Sequence, residues 1–217
     1  MGYEKATLEK VLFMSDKVFS RFKGLKMFEL GNQEVYSIEK AYPLFQSMKY
    51  IPNSPIAKYF FQHLGFTHVS VDYNGLDGAF QYDVRNDISS KFTERFDVLT
   101  NLGFTEHVGE KDDFKKLLQS QYAVFKNLHE LGAEGAIYYH CVPLTHTWHK
   151  HGVCDYSLGF FKTLADTCKY EILLGPFVED YHPEGQASIC FRKTPESVFP
   201  SFEVFCAIEG LRSTEND

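Results

Sequence analysis

What most constrains this chain is the order in which two hydrophobic periods succeed each other. From about residue 26 to residue 193, short apolar runs bounded by turn residues alternate with stretches of helical spacing. The runs are KMFEL (26–30), THVSVD (67–72), GAFQYD (78–83), FDVLTN (96–101), GAIYYHCV (135–142), YEILLGPFV (170–178) and QASICFRK (186–193). Helical spacing marks 5–22, 55–64, 114–131 and 157–167, and Gly65 and Gly132 close two of these stretches. Seven strands interleaved with helices specify an α/β fold. Its sheet is mostly parallel, with helices on both faces and a C-terminal antiparallel strand pair. Residues 1–217 read as a single domain, with an N-terminal helical region over 1–25. Residues 34–53 show no clean period and hold two prolines, so they read as an irregular connection placed as a lid. A short helix is expected after Glu196, and 211–217 reads as a loose tail.

In open sheets of this kind, ligands bind beyond the carboxyl ends of the strands. The polar strand ends therefore carry the functional question: Glu29 to Gly31, Asp72, Asp83, Asn101 to Gly103 and His140. A formal charge of −7 and the lack of a Lys/Arg cluster argue against a nucleic-acid partner. No apolar run reaches membrane-spanning length. Five cysteines without a CxxC suit reduced thiols better than a disulfide framework, so a cytoplasmic protein is expected. A homodimer is compatible with all of this.

The strand ends FELG (28–31), VSVD (69–72), YDV (82–84) and FDVLTNLGFTEHV (96–108), with ELGAEGAIYYH (130–140), resemble the class I S-adenosylmethionine-dependent methyltransferases. The resemblance covers roughly residues 27–193 and implies a Rossmann-like methyltransferase fold with S-adenosylmethionine as cofactor. It implies an acidic residue and turn under the methionine moiety, here Glu29, Gly31, Asn32 and Gln33. It implies that Asp72, with Tyr73, holds the ribose and that Asp83 and Val84 meet the adenine. Asn101, Leu102 and Gly103 would line the cofactor from the fourth strand. A carboxylate suits ribose because it can accept both hydroxyls in strong, directional bonds. The competing reading of Asp72 is an Asx-type turn with Asn74 and Gly75. The turn after Gly31 departs from the family, which has two or three glycines where this chain has one.

TNLGFTEHV (100–108) is similar to a GTxEHV-type stretch of a little-characterised subgroup. There Glu106 and His107 would serve as acid/base or orienting groups, because an oxygen or nitrogen acceptor must lose a proton; otherwise they cap a turn. HCVPLTHTWHKHG (140–152) gathers four of the nine histidines. His140, His146, Trp148, His149 and His151 read as an acceptor-binding loop, with a metal site or a solvated loop as alternatives. The spacing fits no zinc signature and no HExxH occurs, so no metal is expected.

The leading expectation is a methyltransferase acting on a small polar acceptor. A non-catalytic, methyltransferase-like scaffold is the alternative, supported by the thinned glycine turn. Another transferase on the same fold is a third, because fold does not fix function.

Overall fold

The structure is a computed structural model that describes residues 2–148, 151–179 and 185–214. α1 (Lys5–Phe19) is followed by β1 (Lys26–Leu30), α2 (Ile38–Ser47), α3 (Ala57–His63) and β2 (Thr67–Val71). Then come β3 (Phe96–Leu102), α4 (Phe114–Leu131), β4 (Gly132–Pro143), β5 (Cys154–Tyr156) and α5 (Leu158–Cys168). β6 (Glu171–Glu179), β7 (Gln186–Arg192), α6 (Phe202–Cys206) and β8 (Leu211–Ser213) complete the described chain.

The main sheet has the order β2-β1-β3-β4-β7-β6. β2, β1, β3 and β4 run parallel, while β7 is antiparallel to both β4 and β6. Met27, Phe28 and Leu30 are all buried, as are Val98, Leu99 and Leu102. Continuous apolar runs are needed because both sheet faces are covered. One face packs on α4, α5 and α6 through Leu117, Val124, Leu128, Phe160, Phe161 and Phe205. The other packs on α1, α2 and α3 through Leu8, Val11, Phe45, Phe60 and Phe61. No described helix is long and apolar enough to cross a membrane.

Four expectations need correction. The run 78–83 forms no strand: a 3-10 turn (Leu76–Gly78) with Asp77 at φ 50° leaves only Phe80 to bridge Val71. The sheet therefore has six full strands, with a single bridge in the seventh place beside β2. Residues 34–53 are not irregular, because 38–47 form α2, whose Ala41 and Phe45 enter the core despite Pro43. α1 ends at Phe19, three residues early, where Ser20 turns left-handed at φ 54° and donates its N–H to Asp16. The tail is not loose as far as it is described, since Leu211–Ser213 pairs antiparallel with β5 and Thr214 is buried.

Candidate functional site

The carboxyl ends of β1, β2 and β3 share one edge, in register as Leu30 beside Val71 and Asn101. Gly31 leaves β1 at φ 83°, a conformation other residues adopt at a cost, and donates its N–H to Val71 at 2.8 Å. Asp72 stands just past β2. Its Oδ2 accepts the Asn32 N–H at 2.9 Å and its Oδ1 the Asn74 N–H at 3.0 Å. The Asx-type turn is thus formed, and the same carboxylate also ties the two strand ends together. Each oxygen retains a further lone pair.

Glu29 is fully buried beneath this turn. Its Oε1 accepts the Gln33 N–H at 3.2 Å and lies 3.6 Å from His68 Nε2. Gln33 is also buried, and its Nε2 donates to the Leu30 carbonyl at 3.0 Å. A Cβ on Gly31 would meet that nitrogen at 2.4 Å. The side chain thus folds back against the turn where the resembling family has a second glycine. Asn32 Nδ2 donates to Asp77 at 2.9 Å.

Beside this turn lies a cavity of about 330 Å³ lined by Tyr73, Tyr82, Asp83, Val84, Arg85, Phe104, His107, Val108 and Gly109. It brings together the chain after β2, the Phe80 bridge and β3, including the expected Tyr73, Asp83, Val84 and His107. Arg85 holds Asp83 through Nε at 3.0 Å and Nη2 at 2.7 Å, which keeps that carboxyl below its usual range. Arg85, Tyr82, Phe104, Val108 and Gly109 were not singled out from the sequence. Arg85 alone had a signal, as a cation two residues past a candidate carboxylate.

The loop after β3 is held by buried polar groups. Asn101 Nδ2 donates to Thr105 Oγ1 at 2.9 Å and lies 3.1 Å from His140 Nδ1. Tyr156 Oη lies 2.8 Å from Thr105 Oγ1 and 2.6 Å from Gln121 Oε1. Gln121 Nε2 in turn donates to the Thr105 carbonyl at 2.8 Å. Asn101, Leu102 and Gly103 therefore shape the loop from within. Leu102 is buried, and Gly103, at φ 63°, donates its N–H to Cys141.

Glu106 and His107 sit on a 3-10 turn (Thr105–His107). Glu106 is fully buried, neither carboxyl oxygen has a hydrogen-bond partner, and burial pushes its pKa up to about 8. His107 is half-exposed, and burial together with His151 lowers its pKa to about 4. The His107 and His151 rings lie 4.8 Å apart, and the Trp148 ring lies 4.8 Å from His151, tilted at 51° to it. Val153 N–H donates to the Glu106 carbonyl at 2.7 Å, and Gly152 passes so close that a Cβ would come within 2.6 Å of that oxygen.

The histidine loop is not one unit. His140 is a core residue, packed on Phe125, Phe161 and Phe191, with its pKa lowered to about 3 by burial. That packing corrects its assignment to the acceptor. His146 is exposed, at φ 66°, with its N–H on Asp155. Trp148 donates Nε1–H to the Gly185 carbonyl at 2.6 Å. His149 lies outside the described residues. Only His151 joins the Glu106 and His107 cluster.

No protein-family model matches the chain, and no curated protein matches it in sequence. Solved structures do. The N-methyltransferase NodS of Bradyrhizobium japonicum WM9, in complex with S-adenosyl-L-homocysteine, aligns with a TM-score of 0.52 at 11% identity. That alignment covers 86% of this chain and 87% of that one. The 1,6-didemethyltoxoflavin-N1-methyltransferase of Burkholderia thailandensis, with bound 1,6-didemethyltoxoflavin and S-adenosylhomocysteine, aligns at 0.51 with 12% identity. Here the shares are 88% and 79%. The chain has a Rossmann-like α/β fold similar to those of these two structures, with mainly parallel strands and antiparallel strands at its C-terminal end.

Proposed function

We propose that this protein is an S-adenosylmethionine-dependent methyltransferase acting on a small polar acceptor. The single observation that carries the reading is the cavity at the carboxyl edge of the parallel strands, lined by Tyr73, Asp83 and Val84, with Asp72 preceding Tyr73 in the chain. Its volume of about 330 Å³ falls in the range of small-molecule sites. The fit is good on the adenosyl side. Asp72 keeps lone pairs for ribose hydroxyls after accepting two N–H groups, and Tyr73, Tyr82 and Phe104 offer aromatic walls to a base. Beneath the turn, Glu29 and Gln33 act by holding the backbone in shape, since both side chains are buried. The neighbours' bound S-adenosylhomocysteine supports the same choice of cofactor.

The cofactor supplies an electrophilic methyl group on a sulfonium. The chain's part is to hold both partners in line and keep water out. His107 lines the cavity and is a neutral imidazole at neutral pH. Glu106 behind it has its pKa raised by burial to about 8, so at neutral pH it is mostly a neutral acid. We assign His107 to taking the acceptor's proton and Glu106, as a neutral acid, to orienting it, with Trp148, His146 and His151 on the acceptor side.

Calorimetric titration with S-adenosylhomocysteine tests the reading. One site per chain, with micromolar or tighter affinity, is expected. No heat at millimolar ligand would overturn the proposal and favour a binding or scaffold protein on the same fold.

A further inference from the structure

We infer that Glu106, His107 and His151 form a site for one divalent transition-metal ion at the edge of the cavity. Glu106 Oε1 lies 3.7 Å from His107 Nε2 and 3.8 Å from His151 Nε2, and the three ligand atoms all fall within 4.8 Å of one another. Those separations are too long for hydrogen bonds. They suit donors around one ion, because ligands bound at about 2.0–2.2 Å sit roughly 3–4 Å apart. A small swing of the half-exposed His107 ring closes the widest gap.

The second observation is the carboxyl itself. Glu106 is fully buried, and neither oxygen has a hydrogen-bond partner. A buried polar group left unpaired is costly, and an ion is one of the few things that explains it. The fold goes to some length to build this arrangement. Gly152 lets the chain after β4 lie directly on the Glu106 carbonyl, which delivers His151 from 45 positions away (151 − 106). Among the described residues, this is the one cluster of three such donors.

The donor set names the ion class. Two imidazoles and one carboxylate suit zinc, iron, manganese or cobalt, whereas calcium and magnesium prefer oxygen-only shells. Three protein ligands also leave positions open for water or a substrate atom, as in catalytic rather than structural sites. Since His107 also lines the cavity, an acceptor's oxygen or nitrogen could take one of them. The ion site needs only these three side chains; its service to an acceptor rests on the methyl-transfer reading.

The full chain, stripped with chelator and dialysed, is titrated calorimetrically with Zn²⁺ and, separately, with Co²⁺ followed by visible absorption. One ion per chain and a Co²⁺ ligand-field band are expected, with affinity at least tenfold weaker in His107→Ala, His151→Ala and Glu106→Gln. His107→Ala alters a half-exposed ring and keeps the test decisive if Glu106→Gln does not fold. A His63→Ala control, at the exposed end of α3, should bind as the parent does. No binding by the parent, or unchanged affinity in His107→Ala, overturns the site. A parallel titration with S-adenosylhomocysteine separates this outcome from failure of the methyltransferase reading.

Discussion

At the scale of single residues, Asp72 shows how two readings of one carboxylate can both apply. Its sequence context, VDYNG, announces an Asx turn, and the Asn74 N–H bond makes one. What the local sequence could not announce is Asn32, 40 positions away, reaching the other oxygen. In Asp72→Ala, S-adenosylhomocysteine binding should weaken by about 1.5–3 kcal/mol, the range for hydrogen bonds to a charged group. Melting curves will reveal how far the loss of the acceptor for two backbone N–H groups spreads; unchanged ligand affinity would remove Asp72 from the site. His107→Ala should lower turnover roughly 10²–10⁴-fold with cofactor affinity retained, and full activity would sink its assigned role. His140 was misjudged for a physical reason. It ends an apolar run on the ligand edge, but the helices that cover it come from residues 114–131 and 158–168, which periodicity cannot position.

At the scale of elements, long periodic segments were legible and short ones were not. α4 matched its pattern at both ends because Asp113 caps it, accepting the Lys116 N–H at 3.1 Å, and Gly132 ends it. The run 78–83 kept its two-residue period, since Phe80 and Tyr82 stack at 5.9 Å, yet the preceding turn left one residue to pair. β5 and β8 are three residues each, too short for any period to declare. They matter because their pairing anchors the strand that brings His151 onto the Glu106 turn. Gly152 is the contact point, at φ 73°, with no room for a Cβ. Gly152→Ala should therefore destabilise the fold by about 1–3 kcal/mol and weaken metal binding more than S-adenosylhomocysteine binding. Denaturant melts and the two titrations check this, and a neutral substitution would mean the segment can sit elsewhere.

At the scale of the whole molecule, buried titratable groups set the pH range in which the fold holds. His107, His129 and His140 have pKa values lowered by burial to about 4, 4 and 3. Unfolding returns each to about 6.5, so the unfolded chain binds more protons and stability falls as pH drops below 6.5. Glu106 works the other way. Its folded pKa of about 8 exceeds its ordinary 4.5, so the folded chain binds the extra proton and stability falls as pH rises from 4.5 to 8. Between 4.5 and 6.5 three histidines oppose one carboxyl and prevail; above 6.5 only Glu106 of these four still acts. Chelator-treated protein should accordingly be most stable near pH 6.5. Glu106→Gln should gain on the parent as pH rises, by on the order of 4 kcal/mol at pH 8, and match it near pH 4. Bound metal should flatten the parent's alkaline slope, because a coordinated carboxylate is already ionised. Urea melts from pH 4 to 9, with and without Zn²⁺, measure all three effects. An alkaline slope shared by parent and Glu106→Gln would show that this carboxyl is not buried as a neutral acid.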